Sequence, residues 1–397
     1  RNGFSRLSSI MAFGVMALSQ ANSYAISSLD TFSQITSTLF GYSCLVFYSV
    51  YLNKQTRSGH WFYLFSILLS VIAILCKENA MFIVPTTLTI ALFSEIKTYS
   101  HKPAKIFALI ITAAPFLIVS VAFMVLRKHL NLMPAEIGPG KFNIGLGFNI
   151  LKNFTISVIQ SILPHSSVSV YLDITNKRWI NVAMVFLLSA ILAAIAIRGI
   201  INSKHKKLSF VIILMLPLFL FPVILLNEIN ELYIYNMTPL FAVLLSIGLS
   251  QLIECSGKQF RKSGLMVLFC AFLFWNSVSV FNKCKLMNKN GIESESIHRQ
   301  IEPYYSQIPY DGNLILVNPN TSSKTEYSIF KRTGFRQIQF GAIELVRRSR
   351  RSDFHVRFVI EQELDTINIS NSLVLRYRDG MVHKVNLYDK AGTAVSN

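Results

Sequence analysis

Charged and aromatic side chains stand at the ends of several apolar runs in this sequence, where burying a charge is costly and usually serves a function. A carboxylate in such a place can accept the proton of an attacking hydroxyl group, which makes three acids the candidate catalytic residues: Asp30, Glu78 and Glu231. Neighbouring cations can offset the charge of a phosphate group, and tyrosines can bind a sugar or orient a base. The candidate substrate-binding residues are Lys77, Tyr233, Tyr235, Arg127 and Lys128.

The same residues also have structural interpretations, and the sequence leaves both kinds open. Asp30 can cap the helix that begins near Thr31. The Lys77–Glu78 pair can form a solvated hairpin turn with a local ion pair. The tyrosines that follow Glu231 can belong to an aromatic belt at the membrane surface, and the basic residues of segment 127–179 can snorkel toward water.

The composition of the chain indicates what kind of domain each of these residues belongs to. Of the 397 residues, 52% are hydrophobic and only 15% are charged, against roughly 25% charged residues in soluble domains. Residues 1–282 hold 8 acids and 21 bases, whereas residues 283–397 hold 12 acids and 17 bases. We therefore predict a membrane domain over 1–282 and a water-facing domain over 283–397. The five cysteines show neither a disulfide framework nor metal-ligand spacing.

The net charge of +18 does not indicate a nucleic-acid-binding protein. In residues 1–282 the basic residues form short clusters between apolar runs, which is typical of the cytoplasmic loops of membrane proteins. A separate basic run in the C-terminal domain is either a solvated face or a site for anionic lipid or a phosphate-bearing ligand. It consists of Arg347, Arg348, Arg350 and Arg351.

Apolar runs of the length needed to cross a bilayer predict an all-α bundle of spanning helices. We predict nine spans, at about 10–26, 33–52, 61–76, 79–94, 106–126, 180–198, 208–226, 237–255 and 263–282. The third and fourth are joined only by Lys77–Glu78, which predicts a tight helical hairpin.

The positions of lysine and arginine orient these spans. Five basic clusters fall on one side of the membrane if segment 127–179 lies wholly on the other. Its amphipathic piece 148–164 is then predicted to be an interfacial or re-entrant helix. The segments that share the extracytoplasmic face in this topology are Asp30, Lys77–Glu78, the 127–179 loop, the 227–236 loop and the C-terminal domain.

The C-terminal domain shows strand patterns, so we expect a mainly β or α/β fold. Segments 312–320 and 354–361 have strand-like composition. Residues 372–389 alternate between apolar and polar on both sides of Asp379–Gly380, which is a strong signal for a two-residue hairpin.

The order of four landmarks resembles the multi-spanning C-type glycosyltransferases, in particular the protein O-mannosyltransferase-like members associated with tetratricopeptide repeats. The landmarks cover about residues 15–255. They are the stretch ALSQANSYAISSLDTFSQITSTLF with Asp30, ILCKENAMFIVP with Lys77, Glu78 and Pro85, ILPHSSVSVYLD, and ELYIYNMTP with Glu231, Tyr233 and Tyr235.

The resemblance implies transfer of a sugar, with inversion at the sugar carbon, from undecaprenyl or dolichyl phosphate to a glycan or protein acceptor. It also implies a multi-pass protein of a bacterial inner membrane whose C-terminal domain is extracytoplasmic. The implied partners are the lipid-linked donor, the acceptor and membrane lipid, with no nucleic acid. No cofactor is assigned, and a divalent metal stays open.

The chain departs from the family pattern at Ser28 and Leu232, where the family has arginine, and it lacks the family's His-Pro pair. The chain begins with Arg1, so we expect it to start inside a longer natural sequence. If upstream helices precede it, Asp30 is a supporting rather than a catalytic carboxylate. Two other functions stay open, a transporter or flippase of a lipid-linked sugar and a non-catalytic membrane scaffold.

Overall fold

A computed structural model describes the chain in two compact units, Arg1–Phe281 and Asn282–Asn397. The domain boundary predicted from the sequence, between residues 282 and 283, lies one residue later than this division. The described residues are 5–22, 32–53, 59–96, 103–130, 145–221, 223–226, 231–319, 334–338, 342–364 and 366–385.

Helices make up the described part of the first unit. They are α1 (Arg6–Leu18), α2 (Phe32–Asn53), α3 (Gly59–Cys76), α4 (Ile83–Ile96), α5 (Pro103–His129), α6 (Phe148–Ile162), α7 (Ser167–Thr175), α8 (Trp179–Asn202), α9 (Lys206–Phe219), α10 (Thr238–Cys255) and α11 (Gln259–Ile301), which continues into the second unit. Short 3₁₀ helices lie at Gln20–Asn22, Glu78–Phe82, Val223–Leu225 and Glu231–Asn236.

Six helices in the described part of the chain are long and apolar enough to cross a membrane. They lie in α2, α3, α5, α8, α10 and the first part of α11. The helical membrane class is therefore correct, but the prediction of nine spans is wrong.

The three other predicted spans form helices of 13, 14 and 14 residues, shorter than the roughly 17 that a span needs. In the first, α1 ends at Leu18 because Gln20 and Asn22 turn the chain and bond to backbone carbonyls. In the second, a 3₁₀ helix replaces the first turn. In the third, α9 ends two residues beyond Pro217, which removes a backbone donor.

The predicted tight hairpin of 61–76 and 79–94 is also wrong. The 3₁₀ helix Glu78–Phe82 redirects the chain, so that α4 packs mainly against α5 and α2 instead of folding back on α3. The partner of α3 is α2, and the core between them is closed by fully buried rings of Tyr48, Phe82 and Phe116.

A second helical core in this unit joins α1, α8 and α10. Here two glycines, Gly199 in α8 and Gly248 in α10, bring the two helix backbones into direct contact. Close approach at small residues is a common way for membrane helices to associate, since lipid supplies no hydrophobic driving force between them.

The second unit contains a four-stranded sheet in the order β2-β1-β3-β4. The strands are β1 (Gly312–Asn318), β2 (Phe354–Ile360), β3 (Ser372–Arg378) and β4 (Met381–Lys384), with helix α12 (Ala342–Ser349) before β2. Strand β1 is parallel to both β2 and β3, so the unit is α/β rather than mainly β.

The central strand, β1, has apolar side chains on both faces of the sheet, so both faces must be buried. Leu314 and Leu316 of β1 enter one apolar core, and Ile315 and Val317 enter a second core on the opposite face. A continuous apolar strand of this kind is typical of a parallel sheet covered on both sides.

The hairpin predicted at Asp379–Gly380 is confirmed. It joins the antiparallel strands β3 and β4, with φ of 53° at Asp379 and 82° at Gly380. Positive φ at both central residues is the requirement of a type I′ turn, which Asp-Gly satisfies locally.

The basic run of the C-terminal unit is partly used in internal contacts. Arg351 pairs with Asp353 and donates to the backbone carbonyls of Tyr305 and Ile308. The hydrogen bond from Arg351 lowers the pKa of Asp353. Arg348 pairs with Glu295 at 2.9 Å. Two of the four arginines therefore hold the unit's own elements together, a role that neither of the two interpretations of the sequence included.

Candidate functional site

The chain enters the helical core at the junction between α3 and α4. Lys77 and Glu78 are partly exposed, whereas Asn79 to Phe82 are buried. The ring of Phe82 stacks on Phe219 with centroids 4.6 Å apart. Gly41 makes room for it, because a Cβ there would lie 2.7 Å from the Phe82 ring. The junction is therefore anchored in the core rather than forming a solvated hairpin turn.

Glu78 pairs with Arg127 instead of with its neighbour Lys77. Nη1 of Arg127 lies 3.4 Å from Oε2 of Glu78, and the side chains are 21% and 39% exposed, respectively. Arg127 stands in the last turn of α5, where a cation also interacts favourably with the helix dipole. Lys128 follows it and is exposed. The structure thus joins a predicted catalytic carboxylate to a predicted binding cation.

Tyr233 lies near this pair, in the 3₁₀ helix Glu231–Asn236. Burial and, second, the negative charge of Glu78 raise the pKa of the Tyr233 phenol. The phenol therefore stays protonated near neutral pH and can donate a hydrogen bond. Tyr235 is only 7% exposed, and burial raises its pKa as well. Tyr235 therefore packs in the core, and it remains a predicted substrate-binding residue.

A closed network of buried amides holds these segments together. The side chain of Asn79 donates to Gln34 at 2.8 Å, Gln34 donates to Asn236 at 2.9 Å, and Asn236 donates to the carbonyl of Asn79 at 3.4 Å. Thr38 also donates to the Asn236 side chain, and Tyr42 to its carbonyl. All three amide side chains are at most 3% exposed. The network fixes the start of α2, the Lys77–Glu78 junction and segment 231–236 relative to one another.

Two predicted catalytic residues cannot be compared with this geometry. Asp30 lies outside the described residues, two positions before α2 begins at Phe32. Glu231 is the first residue of its 3₁₀ helix, and its side chain lies outside the described part of the chain. Both remain predicted site residues.

The sequence interpretation missed Gln34, Thr38 and Asn236. Gln34 and Thr38 stand one helical turn apart in the first turns of α2, with Ser37 beside them, and this spacing was the available signal for an inward polar face. Asn236 gave no comparable signal, because its partners are distant in the sequence.

Replacing Asn236 with alanine is expected to destabilise the helical unit. The change removes the acceptor of Gln34 and Thr38 and the donor to Asn79, and each buried polar group left unpaired costs roughly 1–3 kcal/mol. Thermal unfolding in lipid nanodiscs measures the effect. Asn53→Ala is the matched control, since Asn53 is exposed on α2 and its side chain donates to the carbonyl of Ser49 in its own helix. Equal melting temperatures for the two variants would contradict the network's structural role.

A polar pocket lies at the opposite end of α10 from the 231–236 segment. Its lining includes Ser8, Ser203, His205 and Glu254. The basic residues near 204–207 are therefore at one end of the bundle, whereas Glu78 and Arg127 are at the other.

These features place the molecule in the helical membrane class, with six helices in its described part that are long and apolar enough to cross a membrane and with a C-terminal α/β unit. No protein-family model, no curated protein sequence and no solved structure matches the chain. In the described part of the chain, no three histidine, cysteine or acidic side chains lie together as metal ligands. The function is therefore inferred from the side chains of the candidate site.

Proposed function

We propose that the protein transfers a sugar from polyprenyl phosphate, of the undecaprenyl or dolichyl type, to a hydroxyl group of a glycan or protein on the extracytoplasmic face. The observation that carries this proposal is the Glu78–Arg127 pair with Tyr233 beside it, at the end of apolar helices. A proton acceptor and a cation for phosphate are thereby adjacent.

The reaction we propose is a single displacement. The acceptor oxygen attacks the anomeric carbon of the sugar, and the bond between that carbon and the phosphate oxygen breaks. The hydroxyl proton passes to Glu78, and the bonding electrons leave with the polyprenyl phosphate. Arg127, with Lys77 of the junction and Lys128 beside it in the last turn of α5, offsets the charge of the departing phosphate. Attack from the face opposite the phosphate inverts the sugar carbon.

Glu78 and Arg127 differ in how far their side chains are exposed, and we assign their roles on this basis. Glu78 is the more exposed partner, so an acceptor hydroxyl can approach it. Arg127 is the more buried partner and holds the carboxylate in place. Tyr233 donates a hydrogen bond to the sugar or to the carrier phosphate. Asp30 and Glu231, which flank the same segments in the sequence, are proposed as supporting carboxylates.

Apolar side chains beside the pair support a lipid-linked donor rather than a water-soluble one. Leu75 lies three residues before Glu78, near the end of α3, and is 63% exposed, and Val125 and Leu126 precede Arg127 and are 63% and 50% exposed. An amphiphile can place its phosphate at the charged pair and its prenyl chain along these residues.

Transfer is tested with the full-length chain in proteoliposomes that contain a tritium-labelled polyprenyl-phospho-hexose and a membrane extract as the source of acceptor. We expect label to move from the lipid fraction to glycan or protein, with release of polyprenyl phosphate. If label instead crosses the bilayer still attached to the lipid, the protein is a flippase. If label neither moves nor leaves the lipid, the transferase proposal is wrong.

A further inference from the structure

Helix α6 is amphipathic in the reverse sense from a helix of a water-soluble protein. Each of its buried residues is polar: Asn153, Ser157, Gln160 and Ser161. Its outward side chains include Phe148, Leu151 and Ile159, which are 79%, 58% and 40% exposed. Apolar groups outside and polar groups inside suit a helix that lies against lipid and borders a polar interior.

The amide nitrogens of Asn153 and Gln20 have partners in the protein. Asn153 donates to the backbone carbonyls of Ile224 and Leu226, at 3.1 and 2.5 Å. Gln20 donates to the carbonyl of Leu163 just beyond α6, at 3.3 Å. These bonds join α6 to the segments 20–22 and 223–226.

Three side-chain oxygens in these elements have no hydrogen-bond partner within the described part of the chain. They belong to Asn22, Asn153 and Gln160, which are 1%, 0% and 6% exposed. Buried polar atoms in folded proteins are nearly always paired, so a set of three calls for a bound group.

We propose that the buried face of α6, together with segment 20–22, binds the sugar of the lipid-linked donor. Since the three buried unpaired atoms are oxygens that accept hydrogen bonds, a group bound to them must supply donors. Asn153 and Gln160 are separated by two helical turns, about 10 Å. A single metal ion needs ligands within about 2.5 Å and cannot reach both. A chain of hydroxyl groups, as on a sugar, can donate to acceptors spread along a helix.

The buried face of α6 adjoins the Glu78 site through one segment. The 3₁₀ helix Glu231–Asn236 packs against α6 and against Gln20–Asn22, and also against α2. Its Ile234 shares a core with Ala21, while its Asn236 belongs to the amide network of Asn79. Segment 231–236 therefore connects the buried face of α6 with the junction that carries Glu78. The inference rests on the proposed function for its choice of ligand, because the geometry alone requires only a donor-rich group.

The test is binding to the full-length chain in nanodiscs, without acceptor. The probes are polyprenyl phosphate and three polyprenyl-phospho-sugars, which carry mannose, glucose or N-acetylglucosamine. At least one sugar-bearing lipid should bind about tenfold more tightly than the sugar-free lipid, the gain expected from pairing a buried acceptor. Gln160→Met should remove most of this gain and leave the melting temperature unchanged or higher, because it deletes an unpaired oxygen.

Ser209→Ala is the matched control. Ser209 also carries a buried unpaired oxygen, but it lies on α9 and not on α6 or segment 20–22, so this variant should keep the full gain. If no sugar-bearing lipid binds more tightly than polyprenyl phosphate, or if Gln160→Met keeps the gain, the buried face of α6 does not bind the sugar and the inference is wrong. Glu78→Gln should lose transfer but keep sugar-dependent binding. A binding gain without transfer in the wild-type chain would therefore count against the transfer reaction alone.

Discussion

Glu78→Gln is expected to slow sugar transfer by about 10²- to 10⁴-fold, the usual contribution of a positioned general base. The amide keeps the size and shape of the side chain but cannot take the acceptor proton. Because Asn79 to Phe82, rather than Glu78, anchor the junction in the core, the variant should melt near the wild-type temperature. The measurement is the initial rate of polyprenyl phosphate release in proteoliposomes, together with thermal unfolding of the same preparation.

Glu254→Gln is the control for this substitution. Glu254 is an exposed carboxylate at the opposite end of α10, so its loss should leave the rate unchanged. A double substitution with Arg127→Gln gives a second comparison. If the two side chains act as a unit, adding Arg127→Gln to the Glu78 variant should cost far less than it costs alone. Wild-type turnover in Glu78→Gln would assign the pair a purely structural role.

Local chemistry explains which parts of the fold could be predicted from the sequence. The Asp379–Gly380 hairpin was predictable, because the turn needs positive φ at two adjacent residues and those residues supply it. The helical membrane class follows from the length of the apolar runs. The predicted number of spans was wrong because hydropathy does not show where a proline or a buried amide ends a helix. Pro217 and Gln20 end two of the predicted spans in this way.

The candidate site was predictable as a set of residues but not as an arrangement. The sequence identified Glu78, Arg127 and Tyr233 separately, and only the fold brings them together. Periodicity likewise indicated that 148–164 is amphipathic, but it does not show which environment the polar face of the helix meets. It fits a helix whose polar face meets water as well as one whose polar face meets the protein interior. Packing against the segments 20–22 and 223–226 decides between them for α6.

Gly248→Leu is expected to prevent the helical unit from folding stably, and Gly248→Ala to destabilise it strongly. A Cβ on Gly248 would lie 2.3 Å from the carbonyl oxygen of Ala196 and 2.7 Å from its Cα. Those atoms are helix backbone and cannot move aside as a side chain can. Even one added methyl must therefore push α8 and α10 apart, and overpacking of this kind typically costs about 1–3 kcal/mol or more.

The separation would also open the core that these helices share with α1, where Met11, Leu192 and Leu249 are at most 1% exposed. Thermal unfolding in nanodiscs measures the loss. Gly264→Ala is the matched control, since a Cβ at that position of α11 meets nothing within 4 Å. Its higher helix propensity should stabilise the protein by roughly 0.5–1 kcal/mol. The two alanine variants should thus shift the melting temperature in opposite directions, and an equal shift would mean that α8 and α10 do not cross at these glycines.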